Sequence, residues 1–409
     1  AEDFIANLGL PDLKLSLFVP MGGATCVAAI QSAAMAVASG VCNHVLIAVG
    51  RTGYSGARVS TRLQQFPQFA LAAEFEAPPG YLAAASTGIL PRPALAAMVA
   101  DLERSARGQA APADYDEVVA DTRQAYAALV DVPVDWVATA SQTSTLVANV
   151  AAGLPDGAEV LVGVEEFASV VLPFTAGDRL RIRTVPLATL AESITTDTAL
   201  VAFSLVQSAT GEVLPGAEIA ASARRHGALT LVDLTQAAGA LPVRAGDYDF
   251  TVCHTYKWLC TPRGVAFPTI CPEAFETVVP VAAGWYSADE PWRNCYWPDR
   301  PTSRTARVFD TAPAWEAFVG ARASISMFAT ADQDAIWAHA SGLADRLCRG
   351  LGRPELHRAI VSWPDPGHRQ LAQLTAAGMR ASGPLGLIRL AFHVWNTEAD
   401  VDAAIAVLR

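Results

Sequence analysis

The sequence is poor in charge and in paired cysteines, and both absences narrow the classes of protein it can encode. Only 17% of its 409 residues are charged, and acidic side chains dominate, giving a net charge of −11. We therefore expect neither nucleic acid nor an anionic membrane as a partner. Its seven cysteines stand at irregular spacings without a CxxC pair or a cysteine–histidine cluster, which argues against a metal site or a disulfide framework. No basic-then-apolar leader opens the sequence, so a reducing, cytoplasmic location is expected.

One long stretch lacks charge altogether. Residues 15–50 contain no Asp, Glu, Lys or Arg, and small and apolar side chains dominate them. Pro20 and Gly40 interrupt the run, and polar residues such as Gln31 and Asn43 are scattered through it. This pattern predicts a buried helix followed by a buried strand rather than a membrane span.

The remainder of the chain alternates between short apolar runs and segments of helical periodicity. Such a βαβα rhythm, with strands that are apolar throughout, predicts an α/β fold with a mostly parallel sheet covered on both faces. Ligands of such sheets collect at the carboxyl ends of the strands. Thr143, Phe167, Gln207 and Asp233 each follow a predicted strand, so we expect them near a ligand.

The stretch 229–264 carries the strongest chemical signal. An apolar, β-branched run ends in Asp233, and a second short apolar run leads to Lys257, 24 residues further along. An acid and a lysine at the ends of neighbouring strands suit pyridoxal 5′-phosphate (PLP). The amine forms a Schiff base with the cofactor aldehyde, and the carboxylate keeps the pyridine nitrogen protonated.

The motifs of this stretch resemble those of a known family. Asp233 with Gln236, the run His254-Thr-Tyr-Lys257, and residues 262–264 (Pro-Arg-Gly) resemble the core of class V, fold-type I PLP enzymes. That family contains cysteine desulfurases, kynureninases, isopenicillin N epimerase-like proteins, aminotransferases and C–S lyases. The resemblance implies a PLP-binding large domain at 81–310, with an N-terminal segment at 81–100, and a small α+β domain at 311–409.

The resemblance also implies roles around the cofactor ring. Lys257 would hold PLP and act as the general acid/base at the substrate Cα. Asp233 would bond the pyridinium nitrogen, and Gln236 the phenolic oxygen. Phe167 would stack on the ring, as in the kynureninase and epimerase branch.

The phosphate of the cofactor is assigned to a second set of residues. Gln142, Thr143 and Ser144 stand at a predicted strand-to-helix turn, where hydroxyls, backbone N–H groups and the helix dipole bind anions. By the family resemblance, His254 and Tyr256 would complete the phosphate site.

Two further residues follow from the family pattern. Thr311 lies in a loop region that such enzymes lend across a dimer interface, where it would reach the neighbour's phosphate. Arg389 matches the arginine that grips the substrate carboxylate, and its planar guanidinium suits bidentate contact. We therefore expect an amino-acid substrate and a homodimer with shared active sites.

The first 80 residues resemble a different family. The segment around Cys26 and Gln31, followed by an Ala-rich helical pattern, resembles the nucleophile region of the thiolase superfamily. The partner histidine and second cysteine of that superfamily are absent. Residues 78–80, Pro-Pro-Gly, indicate a linker. We therefore expect residues 1–80 to be a thiolase-like fragment without activity of its own, with acyl-CoA binding through this segment as the alternative.

Several reactions remain open for the PLP enzyme. Residues 377–384, which precede the predicted final strand, contain no cysteine, and this excludes the persulfide chemistry of a cysteine desulfurase. An aminotransferase-like reaction is our first hypothesis, and a C–S lyase or an epimerase of the same family is the alternative. A degenerate fold that serves only as a scaffold conflicts with the presence of Asp233, Gln236 and Lys257.

Overall fold

A computed structural model describes residues 71–293, 295–296 and 301–409. The uncharged stretch 15–50 and most of the predicted thiolase-like segment, including Cys26, lie outside these residues and stay predictions. Within the described ranges, no helix combines the length and the apolar composition that crossing a bilayer requires.

The described residues form helices and strands in alternation, as the sequence predicts. The helices are α1 Arg92–Ala106, α2 Tyr115–Leu129, α3 Thr143–Gly153, α4 Ala168–Thr175, α5 Gly216–His226, α6 Trp315–Ala329, α7 Gln333–Gly350, α8 Arg369–Ala376 and α9 Glu398–Leu408. The strands are β1 Glu159–Gly163, β2 Arg181–Val185, β3 Thr198–Ser204, β4 Leu229–Asp233, β5 Phe250–His254, β6 Ala266–Ile270, β7 Ile360–Pro364 and β8 Leu387–Ala391.

The large sheet has the strand order β2-β1-β3-β4-β5-β6. Strands β1 to β5 pair in parallel, and β6 pairs antiparallel with β5. Residues 137–140 add an extended segment beyond β6, where Ala140 N donates to Ala266 O at 2.9 Å and Ala266 N to Ala140 O at 2.8 Å. The prediction of a mostly parallel α/β sheet is confirmed.

Two apolar cores cover the two faces of this sheet. Along each inner strand, successive side chains point to opposite faces, so alternate residues enter different cores. In β3, for example, Val201 and Phe203 pack in one core while Leu200 and Ala202 pack in the other. Because both faces are covered, the inner strands are mostly apolar, whereas the edge strand β2 carries two arginines.

A smaller antiparallel pair, β7 and β8, belongs to the C-terminal part of the chain. Residues 81–83 lie alongside it, since Leu82 N donates to Arg380 O at 2.8 Å and Leu82 O accepts from Ala391 N at 2.9 Å. A few residues later, Gly88 N donates to Tyr256 O at 2.9 Å. The segment after residue 80 therefore connects the small sheet to the loop that carries Lys257.

Candidate active site

A cavity opens at the carboxyl ends of β3, β4 and β5. It encloses about 620 Å³ of space, a volume that includes the open solvent at its mouth. Its lining is dominated by hydroxyl, amide and ionisable side chains. These are Gln142, Thr143, Ser144, Phe167, Ser169, Ser204, Ser208, Asp233, Thr235, Gln236, His254, Tyr256, Lys257 and Arg263.

Lys257 lies three residues beyond β5 and is only 7% exposed. Burial lowers the pKa of its amine to about 8, while the nearby carboxylate of Asp233 partly opposes this shift and Arg389 adds to it. A larger share of the amine is therefore neutral near pH 7 than in a surface lysine. A neutral amine is the form that attacks a carbonyl carbon.

Asp233 ends β4 and is 5% exposed. Its Oδ1 accepts a hydrogen bond from Thr235 N at 2.7 Å. Burial raises the pKa of this carboxyl to about 6, although the hydrogen bond from Thr235 and the charge of Lys257 favour its ionised form. A cationic ring nitrogen placed against Asp233 would favour the charged carboxylate.

Gln236 is held at both ends of its side-chain amide. Its Nε2 donates to Ala85 O at 2.9 Å, and its Oε1 accepts from Trp258 Nε1 at 2.7 Å. An amide nitrogen carries two protons, and the bond to Ala85 uses one of them. The second proton is available to an acceptor in the cavity that Gln236 lines.

The turn before α3 contributes Gln142, Thr143 and Ser144 to the cavity lining. Gln142 is the N-cap residue and has an extended backbone. The helix begins at Thr143, which is buried. Beside them, the buried Nε2 atom of His254 has no hydrogen-bond partner among the described residues. Burial, together with the charges of Arg263 and Lys257, lowers the pKa of His254 to about 4, so its ring is neutral at pH 7. A neutral imidazole donates one N–H bond to an acceptor.

Phe167 reaches the cavity from the loop after β1. Its backbone N donates to Glu166 Oε1 at 2.6 Å, and the same carboxylate accepts from Ser204 N at 2.7 Å and Ser204 Oγ at 2.6 Å. Glu166 thereby ties this loop to the end of β3. The ring of Phe167 is 44% exposed, and its centroid lies 5.4 Å from Lys257 Nζ.

Arg389 lies next to the cavity rather than among the residues that line it. Its Nε donates to Ser382 Oγ at 2.9 Å, its Nη2 to Ser86 Oγ at 2.7 Å, and its Nη1 to the carbonyl of Ser208, which does line the cavity. Burial lowers its pKa to about 10, so it stays cationic at neutral pH. No ion pair joins Arg389 to a carboxylate within the described residues.

Nine of the predicted site residues thus share one cavity, and three do not line it: Arg389, Thr311 and Gln207. Thr311, the second of these, donates from its backbone N to Thr139 O at 3.1 Å. Its predicted role lies in a neighbouring subunit's site and remains a prediction.

Sequence reasoning missed several residues that line the cavity. Ser169, Ser204, Ser208, Thr235 and Arg263 belong to this group. Thr235 stands inside the motif that runs from Asp233 to Gln236, and Arg263 inside the Pro-Arg-Gly motif. For these two, the position within a motif was the signal available.

Comparison with known proteins places the chain in a family. The family model described as aminotransferase class V matches residues 80–383. The chain belongs to the class V aminotransferase family. Solved structures share the fold: the cystine C–S lyase C-DES superposes with a TM-score of 0.74 at 23% identity, over 81% of this chain and 97% of that one. The cysteine desulfurase CsdA from Escherichia coli gives a TM-score of 0.72 at 19% identity, over 83% and 97%.

Curated relatives match this class V chain over shorter stretches. An isopenicillin N epimerase from Streptomyces clavuligerus is 38% identical over 90 residues, 22% of this chain and 23% of the relative. An uncharacterized aminotransferase of Bacillus subtilis is 26% identical over 238 residues, 54% and 62%. A kynureninase from Xanthomonas oryzae is 32% identical over 193 residues, 45% of each. The chain thus spans less than two thirds of each of these relatives.

These findings confirm the predicted family and fold type, and the prediction of a PLP-dependent enzyme. The matched range begins at residue 80, so the thiolase-like interpretation of residues 1–80 gains no support from the family model.

Proposed function

We propose that the protein is a PLP-dependent enzyme that transforms α-amino acids, with transfer of the amino group as its reaction. The observation that supports this most directly is the pair Lys257 and Asp233. Both are buried, both line one cavity, and they stand at the ends of adjacent strands. Burial brings the pKa of Lys257 to about 8 and that of Asp233 to about 6, so each is poised to change charge near neutral pH.

The cavity residues fit PLP. Lys257 would hold the aldehyde carbon, Asp233 the ring nitrogen and Gln236 the phenolic oxygen. The turn Gln142–Thr143 and the unpartnered Nε2 of His254 suit the acceptor oxygens of a phosphate. When bound, PLP supplies an electron-withdrawing ring that stabilises the electron pair left at the substrate Cα.

The chain's own residues would perform three tasks. Arg389 binds the substrate carboxylate, because its guanidinium is buried, cationic and held in place by Ser86, Ser382 and Ser208 O. Phe167 covers the ring and keeps water from it. Lys257 would be the general base that takes the proton from the substrate Cα and the general acid that returns a proton.

The cavity favours proton transfer by a single base. Among its described lining residues, Lys257 is the only amine, and His254 is a weak base because burial lowers its pKa to about 4. Transfer of an amino group requires one base that moves a proton along one face of the substrate. Epimerisation by two bases would require a second base on the opposite face, and C–S lysis a leaving sulfur on the substrate.

A screen of amino acids tests this proposal. The purified protein is loaded with PLP and offered amino donors with a keto-acid acceptor, cysteine conjugates, and single enantiomers. We expect a keto acid from the donor, an absorbance band of the lysine-bound cofactor, and loss of both in Lys257→Ala. Pyruvate with sulfide, or racemised amino acid without keto acid, would replace amino transfer by C–S lysis or by epimerisation. A protein that shows no cofactor band after PLP is added would refute the proposal as a whole.

We also propose a homodimer in which Thr311 of one subunit completes the other subunit's phosphate site. The position of Thr311 outside its own chain's cavity lining supports this. Mixed dimers of Lys257→Ala and Thr311→Ala contain one site with both native residues if the sites are shared. Activity recovered on mixing the two variants is the expected result, and no recovery would contradict the sharing of sites.

A cytoplasmic location completes the proposal. The five cysteines that the structure describes are all free thiols, as a reducing compartment favours. Cell fractionation with an antibody against the protein tests this, and recovery outside the cytoplasmic fraction would contradict it.

A further inference from the structure

The cavity contains a cation that the proposed reaction has not used. Arg263 lines the cavity from the loop between Lys257 and β6. Its guanidinium carbon lies 4.7 Å from the centroid of the Tyr256 ring. It makes no ion pair with any carboxylate that the structure describes. An arginine that stacks on an aromatic ring beside a polar cavity, with its N–H donors uncommitted to a carboxylate, is arranged to bind an anion.

The surroundings of Arg263 identify the end of the cavity at which it acts. Apart from burial, the charge of Arg263 lowers the pKa of His254 more than the charge of Lys257 does. The pKa of Asp233 is instead affected by Thr235, Lys257 and Glu166. Arg263 therefore stands near His254 and Tyr256, the residues assigned to the phosphate, rather than near the ring-nitrogen end.

The charges at that end do not balance a phosphate without Arg263. A phosphate monoester carries a charge of about −1.5 to −2 at pH 7. The start of α3 contributes only about +0.5, and Thr143 and Ser144 are uncharged. His254 is neutral, and Lys257 would be engaged at the cofactor aldehyde rather than at the phosphate. Among the described lining residues, Arg263 is the cation that remains.

We propose that Arg263 binds the phosphate of PLP and supplies the positive charge that the site otherwise lacks. This inference rests on the proposed function, since it assumes PLP in the cavity. A guanidinium offers two parallel N–H donors to two phosphate oxygens, a geometry that a lysine ammonium does not reproduce. The ring of Tyr256 lies against the guanidinium, whose carbon is 4.7 Å from the ring centroid.

Pyridoxal, which lacks the phosphate, provides the test. The cofactor-free native chain and its variants are titrated with PLP and, separately, with pyridoxal, and the absorbance of the lysine-bound cofactor reports binding. Loss of a charged hydrogen-bond partner predicts that Arg263→Gln weakens PLP binding about 10- to 100-fold. Pyridoxal binding should change by less than about 2-fold, because pyridoxal makes no contact that the phosphate would make. Arg263→Lys keeps the charge without the fork, and it should fall between the two.

Arg389→Gln is the matched control, since it removes the other cavity-side cation. It should leave the ratio of PLP to pyridoxal affinity unchanged. An unchanged ratio in Arg263→Gln would overturn the inference, and a loss of amino-acid binding alone would reassign Arg263 to a substrate carboxylate.

Different results would refute the proposed function and the role of Arg263. If the native chain binds neither PLP nor pyridoxal, the proposed function is wrong. If the native chain binds PLP and Arg263→Gln binds it equally well, only the role of Arg263 is wrong. The side chain of Arg263 is exposed, so the variant is expected to fold, and an unchanged thermal midpoint of the cofactor-free chain verifies this.

Discussion

Two groups of buried charge lie in the same fold and are treated in opposite ways. Arg123 on α2 and Asp310 form a buried ion pair with Nη1–Oδ1 and Nη2–Oδ2 distances of 3.0 and 2.6 Å. Asp310 Oδ1 also accepts from Thr139 N at 2.7 Å, and Arg123 Nη1 donates to Val137 O at 2.6 Å. In the cavity, by contrast, Asp233 and Lys257 are buried without such a network, and burial shifts the pKa of each toward its neutral form.

The difference separates charges that hold the fold from charges that await a ligand. Burying an ion costs several kcal/mol unless a partner and hydrogen bonds compensate for lost water. Arg123 and Asp310 compensate each other, and the pair joins α2 to the extended segment 137–140 that leads to the turn before α3. Asp233 and Lys257 leave part of this cost unmet, and we expect the cofactor to meet it.

Breaking the structural pair should have the largest effect on stability. Asp310→Ala leaves Arg123 buried without a carboxylate, so a loss of about 3–5 kcal/mol in the free energy of unfolding is expected. Urea denaturation of the cofactor-free protein measures it. The matched control is Asp121→Ala in α2, the helix that carries Arg123. It breaks the half-exposed ion pair between Asp121 Oδ2 and Arg322 Nε, which lie 3.3 Å apart. A loss of less than about 1 kcal/mol is expected there. Equal losses in the two variants would show that the buried ion pair stabilises the fold no more than the half-exposed one.

Replacing Asp233 by a neutral residue should raise the free energy of unfolding of the cofactor-free protein, whereas Asp310→Ala should lower it. In the unfolded chain its pKa is near 3.8 and in the folded, cofactor-free chain about 6, so the folded chain binds more protons between these values. Stability therefore falls as pH rises through this window, and the native chain has lost roughly 3 kcal/mol above pH 6. Asp233→Asn avoids that loss. Its advantage in unfolding free energy should be near zero below pH 3.8 and grow to that value above pH 6, as urea titrations at several pH values would show.

The same variant should be impaired once PLP is present. An amide does not hold the ring nitrogen in its protonated form, so amino-acid turnover should fall even though the fold is more stable. If Asp233→Asn is less stable than the native chain at pH 8, Asp233 belongs with the structural charges, and the comparison fails.

Packing around Lys257 is tight although its charge is poorly compensated. A Cβ added at Gly88 would lie 2.1 Å from Lys257 O, a backbone atom that cannot move without displacing the lysine. Gly88→Ala should cost about 1–3 kcal/mol of stability and weaken cofactor binding. Gly342→Ala in α7 is the control, because its added Cβ meets nothing within 4 Å. That change should stabilise by about 0.5–1 kcal/mol. Thermal midpoints of both variants check the contrast, and a neutral Gly88→Ala would contradict it.

The two buried charges of the cavity were largely predictable from sequence, whereas the buried ion pair of Arg123 and Asp310 was not. Asp233 and Lys257 end or follow consecutive strands 24 residues apart, and parallel pairing of β4 and β5 brings them to one edge. Sequence periodicity and strand order sufficed for that inference. Arg123 and Asp310 are 187 residues apart, and neither stands in a recognisable motif. Only the packing of α2 against the segment that ends at Asp310 brings them together.

The details of the cavity show the same division. Gln236 was assigned from its motif, but its two partners, Ala85 O and Trp258 Nε1, depend on how the segment after residue 80 crosses the site. Arg389 was assigned from the closing strand, yet the serines that fix its guanidinium come from three separate loops. Tertiary contacts of this kind leave no periodic signal in the sequence.

The smallest expected effect on stability concerns Phe167, whose ring is exposed and is proposed to stack on the cofactor. With 44% of the residue exposed, Phe167→Leu should leave the unfolding free energy within about 0.5 kcal/mol of the native value. Stacking of aromatic rings contributes about 0.5–1.5 kcal/mol beyond area burial, so PLP affinity should fall by roughly 2- to 10-fold. Phe167→Tyr preserves a flat ring and should retain the affinity, as spectroscopic titration would measure. If Phe167→Leu lost stability but kept its affinity, the ring would be part of the scaffold. A loss confined to affinity would show that Phe167, like Asp233 and Lys257, is positioned for the ligand rather than for the fold. Side chains of this cavity would then lack partners within the protein because the ligand provides them.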